Sequence, residues 1–311
     1  MPSAIRFLPL KVETRRTAPL ELTPRDLTLL EAVYRYRMLE GRQFEALFFS
    51  AHGKPNSRAR DRLLRLYQHG FLKRVERPIY RHLPNPSPVY RLGKRGAEML
   101  ARERGIPLSK LRYWGKGDDR DHHPTTVSHP FLAHGLALAE LRIAIERAAL
   151  RHSYPIETWH DDMELRHGPH RDAVWTELTP GGKRVRIPIL PDGYFSLDTQ
   201  QGRGHFFLEA DRGTETLTEK WRRKIAGYKA YFASGLFHQR YRVAERTTIF
   251  RVLVTTPSHT RAEHLRAAFL RYGTPELARL FLAAPMTEVV REPFLAPIWL
   301  RGGTTGAQAL L

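Results

Sequence analysis

Three acidic residues stand at positions where a buried strand would ordinarily carry apolar side chains. Asp192 lies in a Pro-Asp-Gly triplet, and Glu209 and Asp211 end the apolar run of residues 205–211. Side chains alternate along a strand, so Glu209 and Asp211 are predicted to share one face. A buried carboxylate needs a partner, and Mg²⁺ prefers oxygen ligands. Asp192, Glu209 and Asp211 are therefore candidate ligands of Mg²⁺ or Mn²⁺.

Lys220 and Lys224 follow these three acids in the sequence and could take part in phosphodiester chemistry with them. A bound metal ion can activate a water and stabilise a phosphodiester transition state. Lys224, or Lys220 in its place, could neutralise the charge that develops on the phosphate. Taken singly, each acid has a structural explanation, because Pro-Asp-Gly suits a turn and Glu209 or Asp211 could simply form an ion pair with Arg212 or Lys224. The ordered set of Asp192, Glu209, Asp211 and Lys224 favours catalysis.

The hydrophobic pattern of the C-terminal part predicts a sheet with helical cover that could position these residues. Apolar segments typical of strands alternate there with helical periodicity, which indicates a mixed α/β sheet. Thr216 and Glu219 form a capping-box pair that begins the helix carrying Lys224. The other predicted helices cover residues 134–151 and 261–272, and the predicted strands cover residues 156–165, 185–197, 205–210 and 247–255.

The charge of the chain indicates an anionic partner. The formal net charge is +19, with 51 lysines and arginines against 32 acidic residues. Residues 1–120 contain 26 of these basic residues and 12 of the acidic ones, so most of the excess lies in the first part of the chain. Nucleic acid is the commonest partner of such a surface. There are two alternatives: the charge could serve solubility alone, or the chain could be a ribosome-associated protein.

The N-terminal part has the element order of a winged helix. Thr23 and Pro24 begin a first helix, a second is predicted near residues 42–49, and a third covers residues 57–69 between Ser57 and Gly70. Strands are predicted at residues 71–75 and 89–92. The third helix would enter the major groove of double-stranded DNA, and the strands would contact phosphates. The candidate DNA-binding residues are Arg58, Arg62, Arg65, Lys73 and Arg74.

Other functions of this N-terminal part stay open. A winged helix can also serve protein contact or dimerisation, and a further helix that begins near residue 93 would allow a homodimer. Four histidines, His122, His123, His129 and His134, lie near a polar, turn-rich segment, but their spacing matches no zinc-ligand pattern. The chain has no cysteine and no run of about 20 apolar residues. We therefore expect a cytoplasmic protein that does not contact membranes.

Several of these features together resemble the replication-relaxation family of plasmids and integrative elements. The resemblance lies in Pro191-Asp192-Gly193, in residues 206–215, and in Lys224 with Tyr228, and it extends over residues 22–269. It implies a winged helix joined to a domain similar to PD-(D/E)xK nucleases, with roles in plasmid replication and DNA relaxation. Other replication or mobile-element proteins are then expected partners.

The resemblance also implies a domain organisation within an overall α/β (α+β) fold. A winged helix-turn-helix DNA-binding domain covers residues 21–115, and a restriction-endonuclease-like, mixed-sheet domain covers residues 131–295. The polar, turn-rich composition of residues 116–130 predicts the linker, and residues 1–20 and 296–311, the latter with glycines at positions 302, 303 and 306, are predicted to form flexible ends. The sequence departs from the nuclease pattern at one position, because Asp211 stands where a lysine normally follows the glutamate by two residues. Lys224 or Lys220 could replace that lysine.

Three functional hypotheses follow. The first is a metal-dependent DNA endonuclease or nickase of a mobile element. The second is a DNA-binding replication or transcription factor that keeps an inactive nuclease-like domain. The third is a relaxase with Tyr228 or Tyr231 as nucleophile, which is disfavoured because both tyrosines lie on or beside the packing stripe of their helix and the histidine triplet of metal-dependent relaxases is absent.

Overall fold

The computed structural model describes residues 20–48, 57–75, 87–111, 113, 129–167, 171–179, 181–213, 219–243 and 248–311. The chain divides into two compact units, the first ending at Glu140 and the second beginning at Leu141. This division lies inside a helix. The linker predicted at residues 116–130 is outside the described residues except for its last two positions, as is residue 216 of the predicted capping box.

Among its described residues, the first unit has four α-helices and an antiparallel strand pair in the order that the sequence predicted, together with a short extra strand. Its elements are α1 (Pro24–Tyr36), β1 (Met38–Glu40), α2 (Gly41–Phe48), α3 (Ser57–Gln68), β2 (Leu72–Val75), β3 (Val89–Leu92) and α4 (Lys94–Glu103). A turn of 3₁₀ helix at Leu108–Lys110 follows. Within the described residues, the strands form a sheet in the order β1-β3-β2, and both pairs are antiparallel.

Local signals account for the start of α1. Thr23 and Asp26 close a capping box, in which each side chain accepts a hydrogen bond from the other residue's backbone amide, and Pro24 occupies the first turn. Such a box satisfies two amide donors that lack partners within the helix. Leu29, Leu30 and Val33 of α1 are fully buried. The helix ends at Tyr36, and Met38 begins β1.

The second unit is built on a mixed sheet. Within the described residues its strand order is β12-β11-β10-β9-β8-β7-β4, with β8, β9 and β10 parallel to one another and the other neighbours antiparallel. The sheet strands are β4 (Ile156–Asp161), β7 (Gly193–Thr199), β8 (Gly202–Ala210), β9 (Phe250–Thr256), β10 (Phe281–Pro285), β11 (Trp299–Arg301) and β12 (Ala307–Gln308). A separate hairpin is formed by β5 (Asp172–Glu177) and β6 (Arg184–Ile189).

Helices cover both faces of this sheet. They are α5 (His129–Arg151), α6 (Asp162–Arg166), α7 (Glu219–Ser234), α8 (Leu236–Arg240), α9 (His259–Tyr272), α10 (Pro275–Ala278) and α11 (Met286–Val289). The end of α5 packs on Phe206 and Leu208, whereas α7 and α9 pack on the other face, which carries Phe207. Burial of these aromatic side chains is the main stabilising contribution to each layer. The predicted mixed α/β class is confirmed.

The structure corrects several predicted elements. The strand predicted at residues 156–165 ends at Asp161, where a capping box begins α6. The strand predicted at residues 185–197 is two strands, β6 and β7, separated by the Pro-Asp-Gly turn, and β5 was not predicted. The helix predicted from residue 134 begins at His129. The C-terminal end, expected to be flexible, adds β11 and β12 to the sheet and buries Trp299 and Leu310.

No helix among the described residues is both long enough and apolar enough to cross a membrane.

Candidate functional site

Two of the predicted acids lie side by side where β7 begins and β8 ends. Asp192 immediately precedes β7, and its backbone amide donates a 2.9 Å hydrogen bond to the Leu208 carbonyl of β8. Its carboxylate accepts a 2.9 Å hydrogen bond from the backbone amide of Ala210, next to Glu209. The other Asp192 oxygen lies 4.0 Å from Arg166 Nη2 of α6. The turn therefore fixes the Asp192 carboxylate beside the end of β8.

Glu209 is buried and contacts two side chains of α7. Its Oε2 lies 2.6 Å from Lys224 Nζ, and its Oε1 accepts a 2.9 Å hydrogen bond from the Tyr228 hydroxyl. The Glu209 side chain is only 3% exposed. Burial raises the pKa of Glu209, Lys224 acts against this, and the Asp192 carboxylate adds to it. The carboxylate is thus held in a site that favours a nearby positive charge.

Lys224 supplies that positive charge. Burial by itself would lower the pKa of Lys224, but the carboxylates of Glu209, Asp192 and Asp211 outweigh it, and the pKa is raised. Lys224 is therefore protonated at neutral pH. Its Nζ also lies 5.1 Å from the centre of the Trp221 ring, a distance at which a cation and an aromatic ring attract. The lysine end is 29% exposed, so the pair reaches solvent on that side.

Asp211 has a different partner from the other acids. It follows the end of β8, and its carboxylate lies 2.7 Å from Arg261 Nε and 3.3 Å from Arg261 Nη2. The amide of Gly213 donates a further 3.0 Å hydrogen bond to Asp211. Because Asp211 holds Arg261 at two points, a metal ion at Asp211 would compete with the arginine. Its predicted role as a metal ligand stays a prediction.

The donor set of this site fits a divalent cation held by two carboxylates. In the part of the chain that the structure describes, no group of three or more histidine or acidic side chains is arranged to hold a metal ion. Mg²⁺ commonly binds through one or two carboxylates and completes its shell with water. Asp192 and Glu209, which influence each other electrostatically, provide such a pair of hard oxygen donors.

The α3 residues predicted to contact DNA fall into two groups. Arg58 and Arg65 are exposed. Arg62 is 23% exposed and forms a two-point ion pair with Asp26, and it donates a 2.8 Å hydrogen bond to the Glu21 carbonyl. Arg62 therefore connects α3 to the beginning of α1, and a contact with DNA would compete with this connection.

The β2 residues predicted to contact DNA are half-buried. The Arg74 guanidinium lies 4.9 Å from the centre of the Tyr67 ring and 5.3 Å from that of Tyr90, and it donates a 3.1 Å hydrogen bond to the Tyr90 hydroxyl. Lys73 neighbours it on the same strand. For these two residues, as for Arg58, Arg62 and Arg65, the DNA contact stays a prediction.

Sequence reasoning offered Lys224 as an ion-pair partner of Glu209, and the structure contains this pair, but it missed the tyrosine and the arginine that also fix the acids. Tyr228 fitted the packing stripe of α7, yet its hydroxyl binds Glu209, and burial raises the pKa of that phenol well above its usual value. Tyr231 likewise donates a 2.6 Å hydrogen bond to Asp172. Both hydroxyls are therefore protonated donors, which does not suit a nucleophile. Arg261 lies in the first turn of α9 after the cap residue Ser258, and nothing in the sequence pointed from it to Asp211.

The remaining predicted residues are Lys220 and the four histidines. Lys220 is exposed on the first turn of α7. Two of the four histidines, His122 and His123, lie outside the described residues, whereas His129 and His134 belong to α5.

Comparison with known proteins identifies a family. No curated protein and no solved structure matches the chain. A family model described as replication-relaxation matches residues 30–247, which is more than two thirds of the 311 residues. The matched range begins within α1 and contains Asp192, Glu209, Asp211 and Lys224. The chain belongs to the replication-relaxation family, which connects it to the replication or relaxation of plasmids or mobile elements.

Proposed function

We propose that this protein binds double-stranded DNA through its first unit and nicks DNA at Asp192, Glu209 and Lys224 in its second unit. The observation that carries the proposal is the 2.6 Å contact between Lys224 and the buried Glu209, with Asp192 fixed beside them. These are the three residue types of the PD-(D/E)xK pattern. Lys224 lies on α7 and supplies the positive charge of the lysine that Asp211 replaces in the pattern.

In this proposal, the two carboxylates hold the cation and the lysine holds the phosphate. Asp192 and Glu209 would be the protein ligands of Mg²⁺ or Mn²⁺. When bound, such an ion supplies Lewis-acid stabilisation of the phosphate and lowers the pKa of a water. Lys224, protonated and partly exposed, would move from Glu209 toward a non-bridging phosphate oxygen and offset its developing charge.

Tyr228 and the Asp211–Arg261 pair position this set. The Tyr228 hydroxyl donates to Glu209 Oε1 and so fixes the rotation of the carboxylate. The Asp211–Arg261 pair fixes the segment after β8 to the first turn of α9, 50 residues later in the chain. We propose that both act by orientation and do not contact the reacting atoms.

The first unit supports DNA binding through its element order and its charge. The order α1-α2-α3 followed by the β2–β3 pair is that of a winged helix, whose third helix enters the major groove. Arg58 and Arg65 are exposed on this helix. The excess of basic over acidic residues in the first 120 positions favours a polyanionic partner.

A second function is a DNA-binding replication or transcription factor without nuclease activity. One observation favours it: both oxygens of Glu209 already accept hydrogen bonds, from Lys224 and from Tyr228. A metal ion would then have to displace or share these contacts. In that case the Lys224–Glu209 pair would be a structural ion pair of the sheet.

Incubation of supercoiled plasmid with Mg²⁺, with Mn²⁺ and with chelator separates the two functions. The nuclease produces open circles only with metal, and Asp192→Asn and Glu209→Gln abolish them while DNA binding persists. Glu263→Gln is the matched control, because Glu263 is an acid of α9 that pairs with Arg266 outside the site. Binding without nicking under every metal condition would favour the second function, and a covalent protein–DNA adduct would favour a tyrosine mechanism.

DNA binding is tested by salt titration of affinity for a random-sequence duplex. Each phosphate contact contributes about −0.9 to the slope of log K against log salt concentration. Arg65→Ala should reduce this slope by about one contact, whereas Arg102→Ala, at an exposed arginine of α4, should leave it unchanged. An affinity that does not change with salt would contradict the assignment of the first unit.

A further inference from the structure

The second unit contains a cavity that the proposed nuclease site does not use. It has a volume of about 590 Å³ and lies between α8 and the strands β4, β7 and β8. This volume is within the range of small-molecule sites. His205 lines the cavity and shares a face of β8 with Glu209, but the two residues are about 13 Å apart along the strand. The cavity is therefore separate from the carboxylate–lysine site.

Three arginines on the cavity wall could bind an anion. Arg203, Arg240 and Arg242 line the cavity, and none of its lining residues, all of which the structure describes, is acidic. Two of these arginines are held in place by acids outside the cavity: Arg203 by Asp198, at 2.6 Å, and Arg240 by Asp172, at 3.0 Å. Fixed guanidinium groups lose little freedom when they bind a phosphate.

Arg242 occupies a backbone position that usually requires glycine. It follows α8 with φ of 52°, and the next amide, that of Val243, donates a 2.9 Å hydrogen bond back to the His238 carbonyl. This left-handed position after a helix is ordinarily glycine or asparagine, because other side chains are strained there. An arginine at a strained position on the rim of a cavity is better explained by what its side chain does than by the fold.

The aromatic wall of the cavity is formed by the rings of His160, Tyr194, His205 and Tyr241. The His160 ring lies 5.8 Å from that of Tyr194, centre to centre, and the Tyr194 ring lies 4.0 Å from that of Tyr241. His205 is buried, and its Nδ1 lies 2.7 Å from the Tyr194 hydroxyl. Burial lowers the pKa of His205 to about 4, so this imidazole is neutral at pH 7. The rings of His160 and Tyr241 are half-buried, so this wall presents ring surface together with hydrogen-bonding groups.

We propose that this cavity binds one nucleoside monophosphate unit, with its phosphate at Arg203 and Arg242 and its base against the aromatic wall. Arginine suits phosphate because its planar donors match the oxygens, and bases stack on aromatic rings without strong sequence preference. The unit is either a free nucleotide or an unpaired nucleotide of a DNA strand. This inference goes beyond the proposed nicking activity and does not depend on it.

Calorimetric titration of the full-length protein with each of the four deoxynucleoside monophosphates tests the proposal. Thymidine and inorganic phosphate serve as probes of the two halves of the ligand, and both should bind at least about tenfold more weakly than the best nucleotide. Arg242→Gly should weaken nucleotide binding about tenfold or more while the protein melts at the same or a higher temperature, because glycine relieves the backbone strain. Arg203→Ala should also weaken binding.

The matched control is Arg271→Ala, since Arg271 is an exposed arginine beside a tyrosine on α9, away from the cavity. It should leave the affinity unchanged. Displacement of a fluorescent 2-aminopurine nucleotide then distinguishes the sources: a single-stranded oligonucleotide displaces it if the site holds a DNA strand, and does not if the site holds a free nucleotide. The proposal is overturned if no nucleotide binds, if inorganic phosphate binds as tightly as the nucleotides, or if Arg242→Gly binds like the wild type.

Discussion

Replacing Lys224 by methionine should destabilise the second unit through the buried Glu209. Methionine keeps the length and apolar stem of lysine but removes the charge that lies 2.6 Å from Glu209 Oε2. The glutamate, 3% exposed, would keep only the Tyr228 hydroxyl as the partner seen on its other oxygen. Because burial already disfavours its charged form, the carboxylate would become protonated or draw in water.

The magnitude follows from the burial of the two partners. Removing one member of a buried ion pair costs about 3–5 kcal/mol, because a charge is left without compensation. The lysine end of this pair is 29% exposed, so water can replace part of the lost interaction. We therefore expect Lys224→Met to lower the free energy of unfolding by about 3 kcal/mol, at the lower end of that range.

Urea unfolding followed by tryptophan fluorescence measures this loss. Four of the five tryptophans, Trp159, Trp175, Trp221 and Trp299, belong to the second unit, so the signal reports mainly on it. The buffer contains chelator, so that a metal ion does not contribute. Lys229→Met is the matched control, because Lys229 is an exposed lysine of the same helix, and we expect it to change stability by less than about 0.5 kcal/mol.

A double-mutant cycle with Glu209→Gln isolates the pair itself. Glu209→Gln removes the buried charge, so the added effect of Lys224→Met should then be much smaller, and the coupling energy should be about 2 kcal/mol. A coupling energy near zero, or a loss in Lys224→Met no greater than in Lys229→Met, would refute the reasoning. An altered slope of stability against urea would show instead that the native or denatured state had changed its compactness.

Three other substitutions test contacts elsewhere in the chain. Arg62→Met should destabilise the first unit by about 3 kcal/mol in thermal unfolding, because it leaves Asp26 buried beside the capping box; a loss under about 1 kcal/mol would contradict this. Although burial acts in the opposite direction, hydrogen bonds lower the pKa of Glu292 from 4.5 to about 2. The stability that the Glu292 carboxylate contributes is therefore present above pH 4.5 and is lost as the pH falls toward 2. Glu292→Gln should lower the free energy of unfolding by about 1–2 kcal/mol at pH 7, after allowance for solvent screening, but by little at pH 2. Gly93→Ala should cost more than about 2 kcal/mol, because a Cβ atom there would lie 2.3 Å from the Gly70 carbonyl oxygen.

Elements with strong local signals were predictable from the sequence. The cap of α1 at Thr23, the strand that ends near Glu209 and the helix α9 depend on residues adjacent in the chain. Hydrophobic periodicity and capping describe such elements directly. The candidate acids were found by the same kind of reasoning, because an acid in an apolar strand conflicts with local preference.

Contacts between distant residues were not predictable in this way. Arg62 meets Asp26 across 36 positions, and Arg261 meets Asp211 across 50. Each of these arginines could equally have been a surface residue, since charge alone does not say which acid it will reach. The C-terminal strands were missed for a related reason: the glycines from Gly302 to Gly306 suggested a flexible end, whereas β11 is fixed by its pairing with β10.

The ion pair at Glu209 also bears on the choice between the two proposed functions. A buried ion pair contributes little net stability compared with apolar side chains of similar volume, so stability alone does not account for Glu209 and Lys224. We therefore expect the combined variant Glu209→Leu, Lys224→Met and Tyr228→Phe, in which no polar group of the trio is left unpaired, to be at least as stable as the wild type in urea. If the combined variant is stable but unable to nick plasmid DNA, the Glu209–Lys224 pair serves the reaction. If the variant is much less stable than the wild type, the pair serves the fold, and a DNA-binding factor without nuclease activity becomes the better explanation.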